Sequence, residues 1–248
     1  MSAKPAEDEQ QRSWWTERRF LASAAVIAVL VLGAGLVLMT GGGRRAANRP
    51  AASASPPASA PTRARRGPAG AAGCSLPAGS QSIPQVAPQT AWQLVGSMAA
   101  PSAPATIGPQ RTVDGFRVCF AHSPLGALFA AVNFWAEGTA APPGAVYEHL
   151  AADTPLRAQA ITAARTDGAE RLDALTKVQV AGYALTAYDP ATAVITLAFQ
   201  LSDGAFVSVP TALRWENGDW RYVVAAGGTV PGAAQISDLN GYVAFSGA

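Results

Sequence analysis

The feature that most constrains this chain is an uncharged apolar run from Phe20 to Thr40, with arginines on both sides. A helix rises about 1.5 Å per residue, so about 20 residues cover the ~30 Å hydrocarbon core of a bilayer. No other run of this length occurs among the 248 residues of the sequence. The run therefore predicts a single transmembrane helix, and any function that ignores a membrane conflicts with it.

A cleaved secretory signal peptide is the alternative, because it also joins a basic start to an apolar stretch. The apolar stretch of such a signal is usually about 7 to 15 residues long, which is shorter than the run found here. Two small-residue sites, at residues 58–60 and 71–74, lie too far beyond the run for cleavage. We favour an uncleaved anchor, and the signal peptide stays open as its alternative.

The direction of the span does not follow from charge alone. Near the run, one lysine and three arginines lie on its N-terminal side and three arginines lie on its C-terminal side. Long domains translocate largely regardless of charge, whereas a short tail such as residues 1–19 can stay in the cytoplasm. We therefore expect a protein of the cell membrane, in contact with membrane lipid, whose C-terminal part is extracytoplasmic.

The two cysteines, Cys74 and Cys119, both follow the apolar run. An even pair of cysteines in an oxidising compartment most simply forms one disulfide. Two buried free thiols in a cytosolic domain are the alternative, because cysteine is also a common small core residue. The disulfide is the prediction that agrees with export.

Composition divides the chain beyond the run into a linker and a folded part. Residues 41–73 hold no aliphatic side chain larger than alanine, so burial cannot offset the entropy of ordering them, and a disordered linker is expected. Residues 74–115 carry six prolines, which disfavour long helices and central strands. We predict that this segment wraps over the following domain, with Trp92, Leu94 and Val95 as its anchor.

Three helix starts follow, each with proline close to the first helical position. Ser123-Pro124 combines an N-cap residue with proline, and apolar residues then recur at three- and four-residue steps. The other two starts lie at residues 142–143 and 154–155. The first helix is predicted to be largely buried, because both of its faces are apolar.

Beyond residue 176 the apolar period changes to two, which predicts strands at residues 177–188, 193–201, 205–215 and 220–225. Asn217-Gly218 predicts a type I′ hairpin loop, which sets Trp215 opposite Trp220 and Leu213 opposite Tyr222 on an apolar face. On the other face Arg214 opposes Arg221. Glu216 and Asp219 lie on the diagonals of that face, which is predicted to be solvated.

Helices followed by an antiparallel meander with one apolar face indicate an α+β domain whose helices cover that face. The three helices, a curved four-stranded sheet and the final W-x-N-G-x-W-x-Y hairpin, Trp215 to Tyr222, resemble the cone-shaped fold of nuclear transport factor 2 and its relatives. The resemblance covers about residues 123–226 and implies an NTF2-like domain at 116–226. A C-terminal tail at 227–248 then either folds back on the core or docks a partner.

The layout of tail, span, linker and exported domain is similar to that of the VirB8-like and TcpC-like components of conjugative type IV secretion machines, here of actinobacterial type. This resemblance implies a membrane-anchored assembly protein, a homo-oligomer whose partners are other secretion or conjugation membrane proteins. The alternative is an exported cone domain that binds a small or lipidic ligand. An enzyme is the third hypothesis.

The candidate pocket or contact residues are one histidine and four aromatic residues of the cone: His122, Trp135, Trp215, Trp220 and Tyr222. No catalytic set is expected, because the acids of the sheet region lie in or beside turns, away from a substrate. His149 is expected to face solvent. No metal site or cofactor is expected from two histidines without ligand spacing, and a net charge of +2 argues against nucleic acid binding by the folded domain.

Overall fold

The computed structural model describes residues 74–166, 178–226 and 232–247. The predicted cytoplasmic tail, transmembrane helix and linker lie outside these ranges. Within the ranges, no helix combines the length and the apolarity that crossing a bilayer requires.

The proline-rich segment forms two antiparallel hairpins, built from β1 Ala91–Val95 with β2 Met98–Ser102 and β3 Arg111–Val113 with β4 Phe116–Val118. Its anchor is β2, whose Met98 and Ala100 are fully buried. Trp92 also packs inward, with its ring centroid 4.6 Å from that of Phe245. The prediction of Leu94 as an anchor is wrong, because its side chain is 75% exposed although it shares a face of β1 with Trp92.

Three helices follow: α1 Pro124–Gly138, α2 Ala145–Leu150 and α3 Pro155–Thr166. The predicted cap of α1 is confirmed, since the Ser123 hydroxyl accepts a hydrogen bond of 3.1 Å from the Gly126 N–H. Helix α2 begins later than its proline pair, because Gly144 precedes it with a φ of 86° in the left-handed region. Helix α1 is buried along nearly its whole length.

The main sheet is antiparallel and contains β5 Val178–Tyr188, β6 Thr192–Leu201, β7 Phe206–Glu216, β8 Asp219–Tyr222, β9 Ala234–Ile236 and β10 Val243–Ala244. Its order is β10-β5-β6-β7-β8, and β9 pairs with the other end of β7. The predicted hairpin register is confirmed, with Trp215 opposite Trp220. Asn217 and Gly218 have φ values of 55° and 79°, as a type I′ loop requires.

The core lies between α1 and the main sheet, where Leu128 and Val132 of the helix and Ile195 and Leu197 of β6 are fully buried. Two bulges interrupt the pairing of β5 with β6, and bulges bend a strand and increase its twist. The described chain is therefore a mixed α+β fold in which three helices accompany a six-stranded antiparallel sheet.

The described part of the C-terminal tail folds back on the core. Strand β10 extends the sheet beside β5, and β9 pairs with β7. Phe245 is buried, with its ring edge-on to Tyr183 at a centroid distance of 5.5 Å. Of the two possibilities that the sequence left open for the tail, its described residues adopt the first.

Candidate functional site

The interior between α1 and the β7–β8 hairpin is filled with aromatic side chains. Phe134 stacks on Tyr222 with ring centroids 4.0 Å apart, and burial raises the pKa of the Tyr222 phenol. The Trp135 indole N–H donates to the Thr211 hydroxyl at 2.9 Å. The cavity that remains beside these rings, also lined by Trp220, measures about 10 Å³. A cavity of this size holds about one water molecule, so it does not admit a ligand.

His122 belongs to an aromatic cluster at the outer end of the same hairpin. Its imidazole stacks on the Trp215 ring with centroids 4.0 Å apart and an interplanar angle of 10°. Its Nε2 atom also contacts the Pro190 carbonyl oxygen. The Trp220 ring lies edge-on at 5.8 Å, and its indole N–H donates to the Ala121 carbonyl oxygen at 3.0 Å.

The first described residues of the chain are held against this aromatic cluster. The Gln81 side-chain amide donates to the His122 carbonyl oxygen at 2.8 Å, and the Tyr188 hydroxyl donates to the Gln81 amide oxygen at 2.7 Å. The five predicted contact residues therefore divide into two groups. His122 and Trp215 belong to the cluster, and Trp135 and Tyr222 belong to the filled interior. Trp220 belongs to both, because it contacts His122 and also lines the interior cavity.

Asp219 is a buried acid, although the hairpin pattern predicts it on a solvated face. Its side chain is only 3% exposed, and its two carboxylate oxygens accept the backbone N–H groups of Cys119 and Phe120, each at 2.9 Å. Burial raises the pKa of the Asp219 carboxyl, while these N–H groups and the Arg221 guanidinium oppose that rise. The solvated prediction is wrong because residues about 100 positions earlier cover this end of β8.

Glu137 is a second buried acid and is not among the predicted site residues. It accepts the Arg117 backbone N–H at 3.1 Å, and Asn133, one helical turn earlier, accepts the Arg117 guanidinium at 2.9 Å. The same guanidinium also contacts the Gln93 amide oxygen. Burial raises the pKa of Glu137 and lowers that of Arg117, while their mutual attraction opposes both changes.

The network around Arg117 joins α1 to both hairpins. Its signal in the sequence is a pair of polar residues, Asn133 and Glu137, four positions apart in an otherwise apolar helix. This spacing puts both side chains on one face of the helix. The Glu137 carboxylate accepts a backbone N–H of β4, and this hydrogen bond fastens β4 to α1.

The predicted disulfide is confirmed, and it joins Cys74 to Cys119 across a sequence separation of 45. A pocket of about 120 Å³ lies beside it and is also lined by Arg111, His149 and Arg221. The Arg221 guanidinium donates to the His149 carbonyl oxygen at 2.6 Å. The volume of this pocket is well below the ~300 Å³ at which small-molecule sites begin.

His149 lies at the edge of this pocket. The prediction that it faces solvent is therefore wrong. Its ring stacks on Phe116 with centroids 4.3 Å apart, and the residue is half-buried. Within the described ranges, no group of three histidine, cysteine or acidic side chains is arranged to hold a metal ion. The interactions of the described residues are core packing, helix capping and charged hydrogen bonds within the domain, and the domain also presents an outer surface.

Comparison with known proteins gives one match. A family model described as a domain of unknown function (DUF8175) matches residues 53–244. No curated protein and no solved structure matches the chain. The matched region covers every described element, from the first hairpin to β10.

Proposed function

The chain belongs to the DUF8175 domain family, and from its sequence and geometry we propose that it is a membrane-anchored assembly protein with an extracytoplasmic interaction domain. The run from Phe20 to Thr40 anchors it in the cell membrane as a single span, with the N-terminus in the cytoplasm. The Cys74–Cys119 disulfide supports the extracytoplasmic position, because disulfides persist in oxidising compartments.

The observation that carries the proposal is the filled interior. Relatives of nuclear transport factor 2 that act on small molecules hold them inside the cone. Here Phe134, Trp220 and Tyr222 line a cavity of only about 10 Å³, and Trp135 packs edge-on against Phe134 and Tyr222. The small cavity among the described residues favours binding through the outer surface, and an outer surface recognises other proteins more readily than it encloses a small ligand.

The finer description of the fold belongs to the same proposal. Three helices packed with an antiparallel sheet, and a Trp215-to-Tyr222 hairpin in the expected register, support an NTF2-like cone. An anchored domain of this class on a spacer fits the layout of conjugation and type IV secretion complexes. We assign the protein to such a complex, with other membrane proteins of the machine and further copies of itself as partners.

A photo-crosslinking experiment in living cells tests the proposal. A photoreactive amino acid is placed at Ile83 or Val113, which are 43% and 41% exposed, and in separate cells at the fully buried Phe129. We expect irradiation to give defined adducts from the exposed positions, identified by mass spectrometry as a second copy or another membrane protein. The buried position serves as the control and is expected to give none.

The opposite pattern would refute an assembly role. If both exposed positions leave the protein monomeric after irradiation, while the full-length protein purified in detergent retains a bound lipid or other apolar molecule, the ligand-binding alternative replaces it.

A further inference from the structure

The outer edge of β1 is an exposed strand edge. On the inner side of this hairpin, side chains of other elements form hydrogen bonds with the β2 backbone. The Gln179 amide oxygen accepts from the Ala99 N–H at 2.9 Å. The Asn133 amide donates to the Pro101 carbonyl oxygen at 3.1 Å. On the outer side, Leu94 is 75% exposed. The β2 edge of the hairpin is therefore occupied by side chains of other elements.

The ladder register shows which backbone groups point outward from β1. Val95 pairs with Met98 across a two-residue turn, and hydrogen-bonded and non-hydrogen-bonded pairs alternate from there. The N–H and C=O groups of Trp92 and Leu94 consequently point away from β2. Within the described ranges, no hydrogen bond from another element reaches these backbone groups.

The β1 edge also lacks the protection that edge strands usually carry. Natural proteins discourage edge pairing with charged side chains, prolines or bulges. Residues 75–110 contain no Asp, Glu, Lys, Arg or His, and β1 contains no proline. By contrast, β3 begins with Arg111 and is followed by Asp114.

The long strands at the two ends of the main sheet are partly covered. Strand β10 pairs with Gly182 and Tyr183 of β5, and Ala151 and Ala152 lie along β8, with the Ala152 N–H donating to the Tyr222 carbonyl at 2.8 Å. The five residues of β1 lack such cover and include an exposed leucine. Such an edge is a template for pairing with another strand.

We infer that β1 of one copy pairs antiparallel with β1 of a second copy, about a two-fold axis at Gln93. This inference rests on the proposed assembly function and names the surface that it uses. The axis sets Leu94 opposite the half-buried Trp92 of the second copy on both sides, so each exposed leucine gains an apolar cross-strand neighbour. The pairing is self-complementary, as a two-fold interface must be.

Two features favour a second copy as the occupant over an unrelated strand. Residues 75–110 carry no charge of their own, and the Arg117 guanidinium that contacts Gln93 is attracted to the Glu137 carboxylate, which offsets part of its repulsion of a second copy. The chain before Cys74 contains the predicted anchor, so two copies share one membrane plane, which raises their effective concentration. The linker, residues 41–73, is a poorer partner for β1, because it holds no aliphatic side chain larger than alanine that could cover Leu94.

The first test measures the mass of the full-length protein in detergent over a range of concentrations. Leu94→Lys puts two charges into the proposed interface, whereas Val86→Lys adds the same charge at a residue that is also 75% exposed but lies outside β1. We expect the wild-type protein and Val86→Lys to form the same dimer, and Leu94→Lys to dissociate at least about tenfold more readily, which corresponds to ~1.4 kcal/mol. An unchanged dimer in Leu94→Lys overturns the inference.

The second test places cysteine at the two-fold axis. The two Gln93 residues form a non-hydrogen-bonded pair, whose Cα atoms lie about 4.5 Å apart, within the range of a disulfide. We expect Gln93→Cys to give a reducible covalent dimer in cells, whereas Val86→Cys gives little. If Gln93→Cys gives no dimer while the photoreactive positions still capture partners, the β1 pairing fails and the assembly function stands. If neither gives an adduct, both fail.

Discussion

Replacing both cysteines with alanine is expected to lower the free energy of unfolding by about 4 kcal/mol, because the unfolded chain then loses the constraint of a closed loop. The loop spans a sequence separation of 45 and joins the first described residue to the end of the second hairpin. Cys119 is fully buried, and its N–H donates to the buried Asp219 carboxylate at 2.9 Å. The disulfide and that carboxylate therefore hold the same stretch of chain.

Urea denaturation of the full-length protein in detergent, followed by tryptophan fluorescence, measures this loss. The matched control is a reducing agent, which is expected to destabilise the wild-type protein to a similar extent and to leave the double variant unchanged. A difference between wild type and double variant of less than about 1 kcal/mol would contradict the role given to the disulfide.

Gly126→Ala is expected to destabilise the domain by about 3 kcal/mol or more, at the upper end of the range for overpacked cores. A Cβ atom at this position would lie 1.8 Å from the Ala121 carbonyl oxygen. That carbonyl cannot easily move, because it accepts the Ser123 N–H at 2.8 Å and the Trp220 indole N–H at 3.0 Å. The substitution must therefore displace either the start of α1 or the segment that precedes it.

Gly138→Ala is the matched control, because it changes the same residue type in the same helix. A Cβ atom there meets no atom within 4 Å. Since alanine is a better helix former than glycine, we expect a change of at most about 1 kcal/mol, in the stabilising direction. Thermal unfolding of the two variants side by side checks the pair, and equal stabilities would show that the contact with Ala121 does not constrain α1.

Elements with local causes could be predicted from the sequence. The loop at Asn217 and Gly218 follows from the preference of those residues for positive φ, and it alone sets the register of Trp215 against Trp220. The start of α1 at Ser123 is likewise a matter of neighbouring residues. For the same reason, the boundaries of β5 to β7 lie within a residue or so of their predicted positions.

Contacts between distant parts of the chain could not be predicted in this way. The burial of Asp219 depends on Cys119 and Phe120, which lie about 100 residues earlier. The first hairpin was not predicted, because proline disfavours strands only where its missing N–H would bond to the neighbouring strand. At Pro101 the backbone nitrogen of β2 points away from β1, so no such hydrogen bond is lost. Residue type alone also does not show which aromatic side chains fill the interior and which form the outer cluster around His122, because both groups are aromatic.

Deletion of the gene, followed by measurement of conjugative transfer from the host cell, tests the proposed function most directly. The proposal predicts that transfer falls to the background of cells without the machine, and that the full-length chain restores it. A version that lacks the anchor from Phe20 to Thr40 should not restore it. Transfer at the wild-type frequency in the deletion strain would contradict the assignment to a conjugation complex.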